Sequence, residues 1–493
     1  MKEKISKFQI RIEDNILKGP EILVNKEPLA EMLLNTLRSK PDCIGQVDSF
    51  TGKQCTYADM SKRSIRCALW LQQQGMKSGD IIGLCTDSNL DAIIVLLGVM
   101  YLNGKCNTWD YELSLMTARY FLSLTLPKII FTIPISAATL KEAAKELKLD
   151  VKIVVLGKLD GYESMDDIIK DNDSREIAEF KCTPISNSNE ASFIVFSSGT
   201  TGMPKATEII YSSLHYCLYP QKIAKLTNNV FYIHSTLRWI YGISIALQAI
   251  VSYSTTILVP KSLIDIDAEY ICKIVEKYQV TLIATIPNTL INFIKMDLLK
   301  KYHLPTLRIV FVTGSNFPKQ YQETFAKKLP HVLITNIYGS TDVGRKLTEQ
   351  SEHYKPGSVG FLEPNVQIKV TDTKTEEALG INKIGEIRVK TPTIMKGYYR
   401  DPEATKNAFD SNGWFRIGDV GYYDANGELF IVGRISEFIN FKGSNILPEE
   451  IETVLQTHPA VLRAAVIGIP HEIDNEHPMA IVSVARDKTV TEQ

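Results

Sequence analysis

The strongest chemical signal in the sequence is a run of glycines and hydroxylated residues that follows an apolar strand. The strand is predicted to end at Phe196, and the run closes on a basic residue, Lys205. Glycines leave backbone N–H groups unobstructed, hydroxyls add donors, and the lysine adds a positive charge, so this run could bind a polyphosphate. A plain surface loop is the alternative. The small residues of the run are Ser197, Ser198, Gly199, Thr200, Thr201 and Gly202.

The run differs from the P-loop of nucleoside triphosphatases. A P-loop carries Gly-Lys followed by Ser or Thr at the start of a helix. Here Pro204 precedes the lysine and Ala206 follows it, so both the spacing and the ending differ. The phosphate-binding interpretation therefore depends on a different kind of loop and on other segments of the chain.

The segment Ser197-SGTTGMPK resembles the phosphate-binding loop of the adenylate-forming superfamily, which includes acyl-CoA synthetases, 4-coumarate–CoA ligases and beetle luciferases. The resemblance implies an acid–thiol ligase: ATP activates a fatty or aromatic carboxylic acid to an acyl-adenylate, and the acyl group then passes to coenzyme A. The resemblance also implies that the protein uses ATP and Mg²⁺, that coenzyme A is a co-substrate, and that the partner molecule is a small carboxylic acid. Lys205 is expected to act in catalysis as well as in phosphate binding.

A second segment, Tyr338-GSTD, is similar to the superfamily's Tyr-Gly-x-Thr-Glu. By this resemblance Asn336, Tyr338 and Gly339 bind the adenine, Thr341 meets the AMP phosphate, and Asp342 serves Mg²⁺. Thr341 and Asp342 are then expected to be catalytic. Asp342 is one methylene shorter than the usual glutamate, and Mg²⁺ accepts either carboxylate.

Two later segments complete the nucleotide pattern. Trp414-FRIGD matches the superfamily segment whose aspartate binds the ribose hydroxyls, which assigns that role to Asp419. A carboxylate accepting two hydroxyl donors suits this role. The following Arg434 matches the hinge arginine near the ribose. Lys442 and Gly443 match positions on the path of coenzyme A.

The acyl pocket is expected around Leu237-RWIYG, where the superfamily commonly carries a histidine and this chain has Trp239. An indole gives a large flat wall. Gly314 and Ser315 resemble the loop between the adenine and acyl pockets. The apolar neighbours of the tryptophan favour a fatty or aromatic acid, with ordinary helix packing as the alternative. These neighbours are Ile240, Ile243 and Ile245.

Two departures from the superfamily pattern support a different hypothesis. Asn440 stands where the superfamily usually has a lysine. The chain also stops at Gln493, before the usual C-terminal lysine, which in the superfamily stabilises the negative charge that develops during adenylation. The alternative is therefore a catalytically impaired pseudoenzyme that binds nucleotide or acyl groups. A luciferase-type oxygenase is a third hypothesis, with no residue that singles it out.

The predicted elements that position these residues indicate an α/β fold. Short β-branched runs alternate with helices over residues 45–340, which is typical of a mixed, mostly parallel sheet buried on both faces. A helix is expected over Ser88–Leu102, with Ser88 as its N-cap. A small antiparallel region follows over residues 355–432. The expected domains are an AMP-binding N-terminal domain, 1–432, a hinge near 434–436, and a short, incomplete α+β lid, 433–493.

Composition excludes several other classes of protein. The 55 basic and 56 acidic residues give a net charge of -1, without the basic excess typical of nucleic-acid binding. The eight cysteines contain no CxxC pair, which argues against a zinc finger and favours buried thiols in a reducing compartment. The longest apolar runs are too short for a membrane span. We therefore expect a soluble intracellular protein, cytoplasmic or peroxisomal, although the last three residues are not of the Ser-Lys-Leu type.

Overall fold

The structure is a computed structural model. It describes residues 10–24, 27–170, 174–185, 187–197, 203–219, 226–263, 266–351, 354–442 and 444–484. Within this part of the chain the strands form four sheets of nine, eight, six and four strands. The first two are largely parallel and the other two are antiparallel. The predicted change from mostly parallel to antiparallel strands near residue 355 is therefore confirmed.

The nine-stranded sheet has a parallel centre with antiparallel pairs at both edges. Its central strands are short and apolar, because helices cover both faces. Its longest strand, Leu333–Ser340, carries the predicted Tyr-Gly-Ser segment at its end. The strands in sheet order are Phe361–Leu362, Arg345–Glu349, Leu333–Ser340, Ile309–Val312, Leu282–Thr285, Val230–Ile233, Thr255–Leu258, Ile44–Asp48 and Gln54–Thr56.

The eight-stranded sheet is parallel except at one edge, where Lys205–Ile210 returns antiparallel to Ala191–Ser197. The predicted phosphate run connects these two strands, and its residues 198–202 lie outside the described part of the chain. The sheet order is Gly397–Tyr398, Lys205–Ile210, Ala191–Ser197, Lys105–Trp109, Ile81–Cys85, Ile129–Thr132, Lys152–Val155 and Glu163–Ser164.

The six-stranded sheet is antiparallel and includes a hairpin from the start of the chain. Asp14 and Asn15 both have positive φ, 52° and 59°, which makes a two-residue turn of the kind that matches strand twist. Sequence analysis did not assign this hairpin. The sheet order is Arg11–Glu13, Ile16–Lys18, Gln367–Thr371, Gly385–Lys390, Phe415–Tyr423 and Leu429–Arg434.

The four-stranded sheet follows a short 3-10 turn, Ile435–Glu437, and is antiparallel. The predicted helix Pro448–Gln456 packs against its strand Val461–His471. Lys295 joins this unit to the preceding fold, since its ammonium donates to the carbonyls of Val461 (3.2 Å) and Leu462 (2.8 Å). The sheet order is Ser444–Ile446, Ile439–Phe441, Asn475–Val484 and Val461–His471.

The helices pack around the two large sheets and bury most of their apolar side chains. Ala92–Tyr101 is apolar on every side and fully buried, as expected for a central helix. In the described part of the chain no helix is long and apolar enough to cross a membrane. All eight cysteines are free thiols, and seven are buried. The longer helices are Leu29–Ser39, Tyr57–Gln73, Ala92–Tyr101, Leu115–Thr125, Pro134–Glu146, Tyr211–Cys217, Ile240–Val251, Ala268–Tyr278, Pro287–Lys295, Lys319–Lys328 and Pro448–Gln456. The shorter ones are Met165–Ile168, Ser174–Glu179, Leu298–Lys301 and Pro402–Asn407.

The expected N-cap at Ser88 is wrong. The helix begins at Ala92, and the side-chain oxygen of Asn89 accepts the backbone N–H groups of Asp91 (3.0 Å) and Ala92 (3.1 Å). Asparagine caps as well as serine does, so the residue types alone could not choose between two neighbouring positions.

A buried ion cluster stabilises the six-stranded sheet. Asp410 accepts hydrogen bonds from the ammonium of Lys369 (2.9 Å) and the guanidinium of Arg388 (3.0 Å). Its other oxygen accepts the backbone N–H of Trp414 (2.9 Å). Burial raises the pKa of Asp410, but these hydrogen bonds outweigh it and hold the pKa well below its usual range.

We expect Asp410→Asn to lower the free energy of unfolding by about 3–5 kcal/mol, because it leaves the buried ammonium of Lys369 without its carboxylate and removes one of the carboxylates that pair with Arg388. The lowered pKa of Asp410 also predicts that its contribution to stability decreases as the pH falls. Asp410 stabilises the fold fully above its unfolded pKa, about 3.9, and this stabilisation is lost as the pH falls below that value. Urea unfolding at a series of pH values measures both effects, with the exposed Asp42→Asn as the control. An equal loss in both variants would contradict this account.

Candidate functional site

A cavity of about 690 Å³ lies where strands of the two parallel sheets end and the six-stranded sheet approaches them. Parallel sheets bind ligands at the carboxyl ends of their strands, where loops and side chains converge. Predicted site residues that line this cavity are Ser197, Lys205, Trp239, Gly314, Gly339, Thr341, Asp342 and Arg434.

Asp342 is the carboxylate on this cavity wall. It follows the strand Leu333–Ser340, and its Oδ1 accepts a hydrogen bond from the hydroxyl of Thr207 at 2.8 Å. Its carbonyl accepts the backbone N–H of Met395 at 2.8 Å, which fixes the turn. Burial raises the pKa of Asp342, and the Thr207 hydrogen bond and the charge of Lys205 partly offset this.

Lys205 begins the strand that pairs with the predicted phosphate-loop strand. It lies directly opposite Ser197 in the ladder, so it borders the loop at residues 198–202. Its ammonium lies over the ring of Tyr398, 4.8 Å from the centroid. A cation held over an aromatic face keeps its charge and its hydrogen-bond donors available. The arrangement places a positive charge and the Asp342 carboxylate on the same cavity wall.

Asp419 forms a second buried carboxylate site beside the cavity. Only 5% of this residue is exposed. The hydroxyl of Tyr338 donates to its Oδ2 at 2.6 Å, and Nε of Arg434 lies 3.2 Å from its Oδ1. Burial raises the pKa of Asp419, while the Tyr338 hydrogen bond and the Arg434 charge lower it. Arg434 is the cross-strand partner of Asp419, and its side chain is 42% exposed.

Two of the predicted glycines are required by close approach or by conformation. A Cβ at Gly339 would lie 2.7 Å from the carbonyl oxygen of Arg345 on the neighbouring strand. Gly314 has φ +99°, a conformation that L side chains rarely adopt. Ser340 directly follows Gly339. Its hydroxyl oxygen is buried and has no hydrogen-bond partner among the described residues. It is a cavity residue that sequence analysis did not select.

The side of the cavity where the acyl pocket is expected is formed by one face of the helix Ile240–Val251. Trp239 caps this helix, and Tyr241, Ser244, Ile245 and Gln248 line the cavity at positions i, i+3, i+4 and i+7. Ile240 also lines the cavity. The third predicted isoleucine, Ile243, is instead fully buried in the main hydrophobic core, so ordinary helix packing accounts for it.

Several predicted residues do not line the cavity. Asn336 is buried, and its amide donates to the carbonyl of Ser358 at 3.4 Å. Ser315 and Lys442 are exposed away from the cavity lining. Gly443 and the loop residues lie outside the described part of the chain. These loop residues are Ser198, Gly199, Thr200, Thr201 and Gly202.

Comparison with known proteins identifies the family. The family model for AMP-binding enzymes matches residues 35–399, and the model for the C-terminal domain of AMP-binding enzymes matches residues 450–493. This chain belongs to the AMP-binding enzyme family. The first match covers most of the chain, and membership of the adenylate-forming superfamily, expected from the motifs, is confirmed.

Individual relatives cover nearly all of the chain. 4-Coumarate–CoA ligase 4 of Arabidopsis thaliana is 29% identical over 505 aligned positions, covering 96% of this chain and 86% of that protein. Luciferin 4-monooxygenase of Photuris pensylvanica is 28% identical, covering 98% and 90%. The solved luciferase-like enzyme of the nonluminescent mealworm Zophobas morio is 28% identical with a TM-score of 0.77, covering 86% and 100%. The fold is that of the adenylate-forming enzymes.

The structure adds residues to this AMP-binding enzyme's cavity that the motifs had not selected. Thr207 lies two residues after Lys205 on the same strand and supports the cavity from behind by its hydrogen bond to Asp342, and alternation along the strand could have suggested that both side chains share a face. Tyr398 lies in a distant strand, and its sequence gave no cavity signal. Tyr241 and Gln248 could have been found from the helical spacing after Trp239.

We expect Tyr338→Phe to destabilise the protein by about 1.5–3 kcal/mol at neutral pH, because Asp419 loses a hydrogen bond to its charged form. Without this donor the pKa of Asp419 rises further above its unfolded value. The deficit should therefore grow as the pH rises through the folded pKa of Asp419 and shrink below it. Urea unfolding of the variant and the wild type across pH measures the trend.

The matched control for this measurement is Tyr423→Phe. Its hydroxyl donates to a neutral acceptor, the carbonyl of Leu379, at 3.2 Å. Its cost should be about 0.5–1.5 kcal/mol and independent of pH over the same range. If the two variants share one pH profile, the Tyr338 hydroxyl does not support the charge on Asp419.

Proposed function

We propose that this protein joins a fatty or aromatic carboxylic acid to coenzyme A through an acyl-adenylate, using ATP. The observation that carries this proposal is that one and the same cavity is lined by Lys205, Thr341 and Asp342 and by the helix face that begins at Trp239. A cavity with charged groups at one side and apolar walls at the other suits an acid with an apolar body. Family membership supports the same chemistry.

ATP would bind across the charged side of the cavity. Lys205 and the loop 198–202 would hold the polyphosphate, with Thr341 as a further hydroxyl donor. The carboxylate of Asp419 already accepts from Tyr338 and faces Arg434, yet a carboxylate has about four acceptor sites. Two sites therefore remain for the hydroxyls of a ribose. The adenine would lie near Tyr338 and Gly339.

Asp342 fits the requirements of a Mg²⁺ ligand. A carboxylate oxygen is the ligand that Mg²⁺ prefers, and Asp342 presents its carboxylate at the cavity wall beside Lys205. A bound Mg²⁺ would neutralise phosphate charge during transfer. The Thr207 hydroxyl, bonded to Oδ1, holds the carboxylate in one orientation toward the cavity.

The proposed chemistry has two balanced steps. In the first, an oxygen of the substrate carboxylate attacks the α-phosphorus, and the bond to the leaving pyrophosphate breaks. In the second, the thiol sulfur of coenzyme A attacks the acyl carbonyl, loses its proton, and AMP leaves. Lys205 would stabilise negative charge on the transferring phosphate, which is worth most in a site shielded from water.

The C-terminal unit would supply the coenzyme A side. We propose that the large domain ends with the strand Leu429–Arg434, two residues after the expected boundary at 432, and that the hinge lies near 434–436, where the 3-10 turn Ile435–Glu437 precedes the small sheet that begins at Ile439. Lys442 and Gly443 would lie on the coenzyme A path. Asn440, in the place of a lysine, carries no charge into the second step.

We expect the purified protein to catalyse ATP–pyrophosphate exchange with fatty or aromatic acids and to form acyl-CoA when coenzyme A is added. Lys205→Met should lower kcat/KM of the exchange by about 10²-fold, because one charged stabilising group is removed. The exposed Lys396→Met is the control and should leave the rate unchanged. Radiolabel exchange and mass spectrometry of the thioester provide the two readouts.

The outcomes separate the competing functions. ATP binding without exchange, across a panel of carboxylic acids, would contradict the ligase proposal and favour a nucleotide-binding pseudoenzyme. Exchange without thioester would limit the activity to adenylation, in line with the neutral Asn440. An unchanged rate in Lys205→Met would remove this lysine from the catalytic assignment.

The acyl wall also indicates a feature of the substrate. Gln248 is 2% exposed, and its amide nitrogen donates to the carbonyl of Cys217 at 2.9 Å, which leaves Oε1 as a fixed acceptor. Neither this oxygen nor the hydroxyl of Tyr241 has a partner among the described residues. A buried unpaired acceptor is costly, so a substrate that brings a donor is favoured. We therefore propose an acid that carries a hydroxyl or similar donor away from its carboxylate.

We expect the wild type to prefer hydroxylated acids over matched acids without the hydroxyl by at least about tenfold in kcat/KM, since a site with an unpaired acceptor discriminates strongly. Suitable pairs are cinnamate with its para-hydroxy derivative and palmitate with its ω-hydroxy derivative. Gln248→Leu should abolish this preference, while the exposed Gln320→Leu should keep it. Equal rates within both pairs in the wild type would contradict the assignment.

A further inference from the structure

Three potential metal ligands meet at the tip of the C-terminal hairpin. The donor atoms of His471, Asp474 and His477 all lie within 4.8 Å of one another. The hairpin register pairs His471 with Asn475 and Ile469 with His477. Since residues two apart on a strand share a face, both imidazoles project from the same face of the hairpin. Their rings stack with centroids 4.0 Å apart.

The spacing of the donor atoms is close to that of a bound ion. Nε2 of His477 lies 2.8 Å from Oδ2 of Asp474, and Nδ1 of His471 lies 3.8 Å from the same oxygen. Ligand bonds of about 2.0–2.1 Å in a tetrahedral site place donors about 3.4 Å apart. The two distances to Asp474 lie on either side of this value, and all three donor atoms lie within 4.8 Å of one another, so small side-chain rotations would bring them to ligand spacing.

The hydrogen bonds of His471 also suit a metal, whereas Nε2 of His477 would give up its hydrogen bond to Asp474 on binding the ion. Nδ1 of His471 accepts the backbone N–H groups of Ile473 (3.4 Å) and Asp474 (3.2 Å), which requires the unprotonated nitrogen that ligates metals. Both bonds are long and can be exchanged for a ligand bond.

The surroundings leave room for the rest of a coordination shell. The side chains of His471, Asp474 and His477 are 42%, 19% and 45% exposed, so water can reach the ion. The nearby ammonium of Lys442 lies over the ring of Phe441, 4.9 Å from the centroid. The three ligands thus form an open site of two imidazoles and one carboxylate. In the sequence they follow the expected hinge at 434–436, whereas Asp342 precedes it.

We propose that His471, Asp474 and His477 bind a divalent late transition-metal ion of the Zn²⁺ type, with water completing the coordination. Imidazole ligands suit zinc, nickel and copper, whereas Mg²⁺ prefers oxygen ligands. This site is therefore separate in chemistry from the Mg²⁺ role proposed for Asp342, and it does not depend on the proposed ligase activity.

Binding at this tip would also affect the strand that follows the hinge. Phe441 packs edge-on against the ring of His477, with centroids 5.3 Å apart. The backbone N–H of Lys442 donates to the carbonyl of Asp474 at 3.0 Å, and the amide of Asn475 donates to Asn440 at 3.3 Å. An ion that fixes His477 and Asp474 would therefore hold residues 439–442 against the hairpin.

The test uses the untagged full-length protein in excess Mg²⁺, titrated with Zn²⁺ by calorimetry and with Co²⁺ by visible absorption. We expect one ion per chain and slower hydrogen exchange in residues 439–442 when Zn²⁺ is bound. Asp474→Asn and His477→Gln should each weaken binding at least tenfold, since the loss of a partner outside the ligand set already costs about 10–100-fold. The exposed His303→Gln is the control and should bind as the wild type does.

Three results would overturn the proposal. They are the absence of saturable Zn²⁺ binding, equal affinity in the ligand variants and the wild type, and a sulfur-to-cobalt charge-transfer band. The last would assign the ion to a thiol, and Cys43 is the partly exposed cysteine. All three proposed ligands lie at an exposed hairpin tip, and matching thermal unfolding of the variants will confirm that they are folded.

Discussion

The fold around the cavity depends on two carboxylates that no single sheet could stabilise alone. Asp342 follows the nine-stranded sheet and is held by Thr207 of the eight-stranded sheet. Asp419 lies in the six-stranded sheet and is held by Tyr338 of the nine-stranded sheet. Buried charge is costly unless it is hydrogen-bonded and paired. The three sheets must therefore meet in one arrangement for both carboxylates to be satisfied.

This constraint also shapes the electrostatics of the cavity. Burial raises the pKa of both carboxylates, and the positive charges of Lys205 and Arg434 act against it. Charged groups held in place before a ligand arrives need little reorganisation, and they act more strongly where water is excluded. The cavity also has apolar lining residues on the helix Ile240–Val251, so one cavity combines charged and apolar walls.

The hinge region connects this cavity to the small C-terminal unit. Arg434 belongs to the six-stranded sheet and contacts Asp419, and the next residues lead directly into the small sheet. On the far side, Lys295 donates to two carbonyls of the strand Val461–His471. The C-terminal unit is thus joined to the preceding fold at two places, through the chain after Arg434 and through Lys295.

The sequence by itself determined the family, the fold class and some of the strands. The motif around Lys205 and the Tyr-Gly-Ser-Thr-Asp segment could be recognised from the sequence. A loop suited to phosphate and a strand that closely approaches its neighbour each allow only a few residue types at fixed positions. The antiparallel region expected over residues 355–432 is present as part of the six-stranded sheet. Local rules failed at Ser88, where a neighbouring asparagine formed the cap instead.

Only the tertiary structure decided which of the selected residues meet. Asn336 matched a nucleotide motif, yet strand pairing buried it against Ser358. Ile243 and Ile245 lie two residues apart on one helix, but only Ile245 faces the cavity. Tyr398 reaches Lys205 from almost 200 positions away in the chain. Contacts between such distant segments follow from sheet order and packing, which one sequence without its fold does not specify.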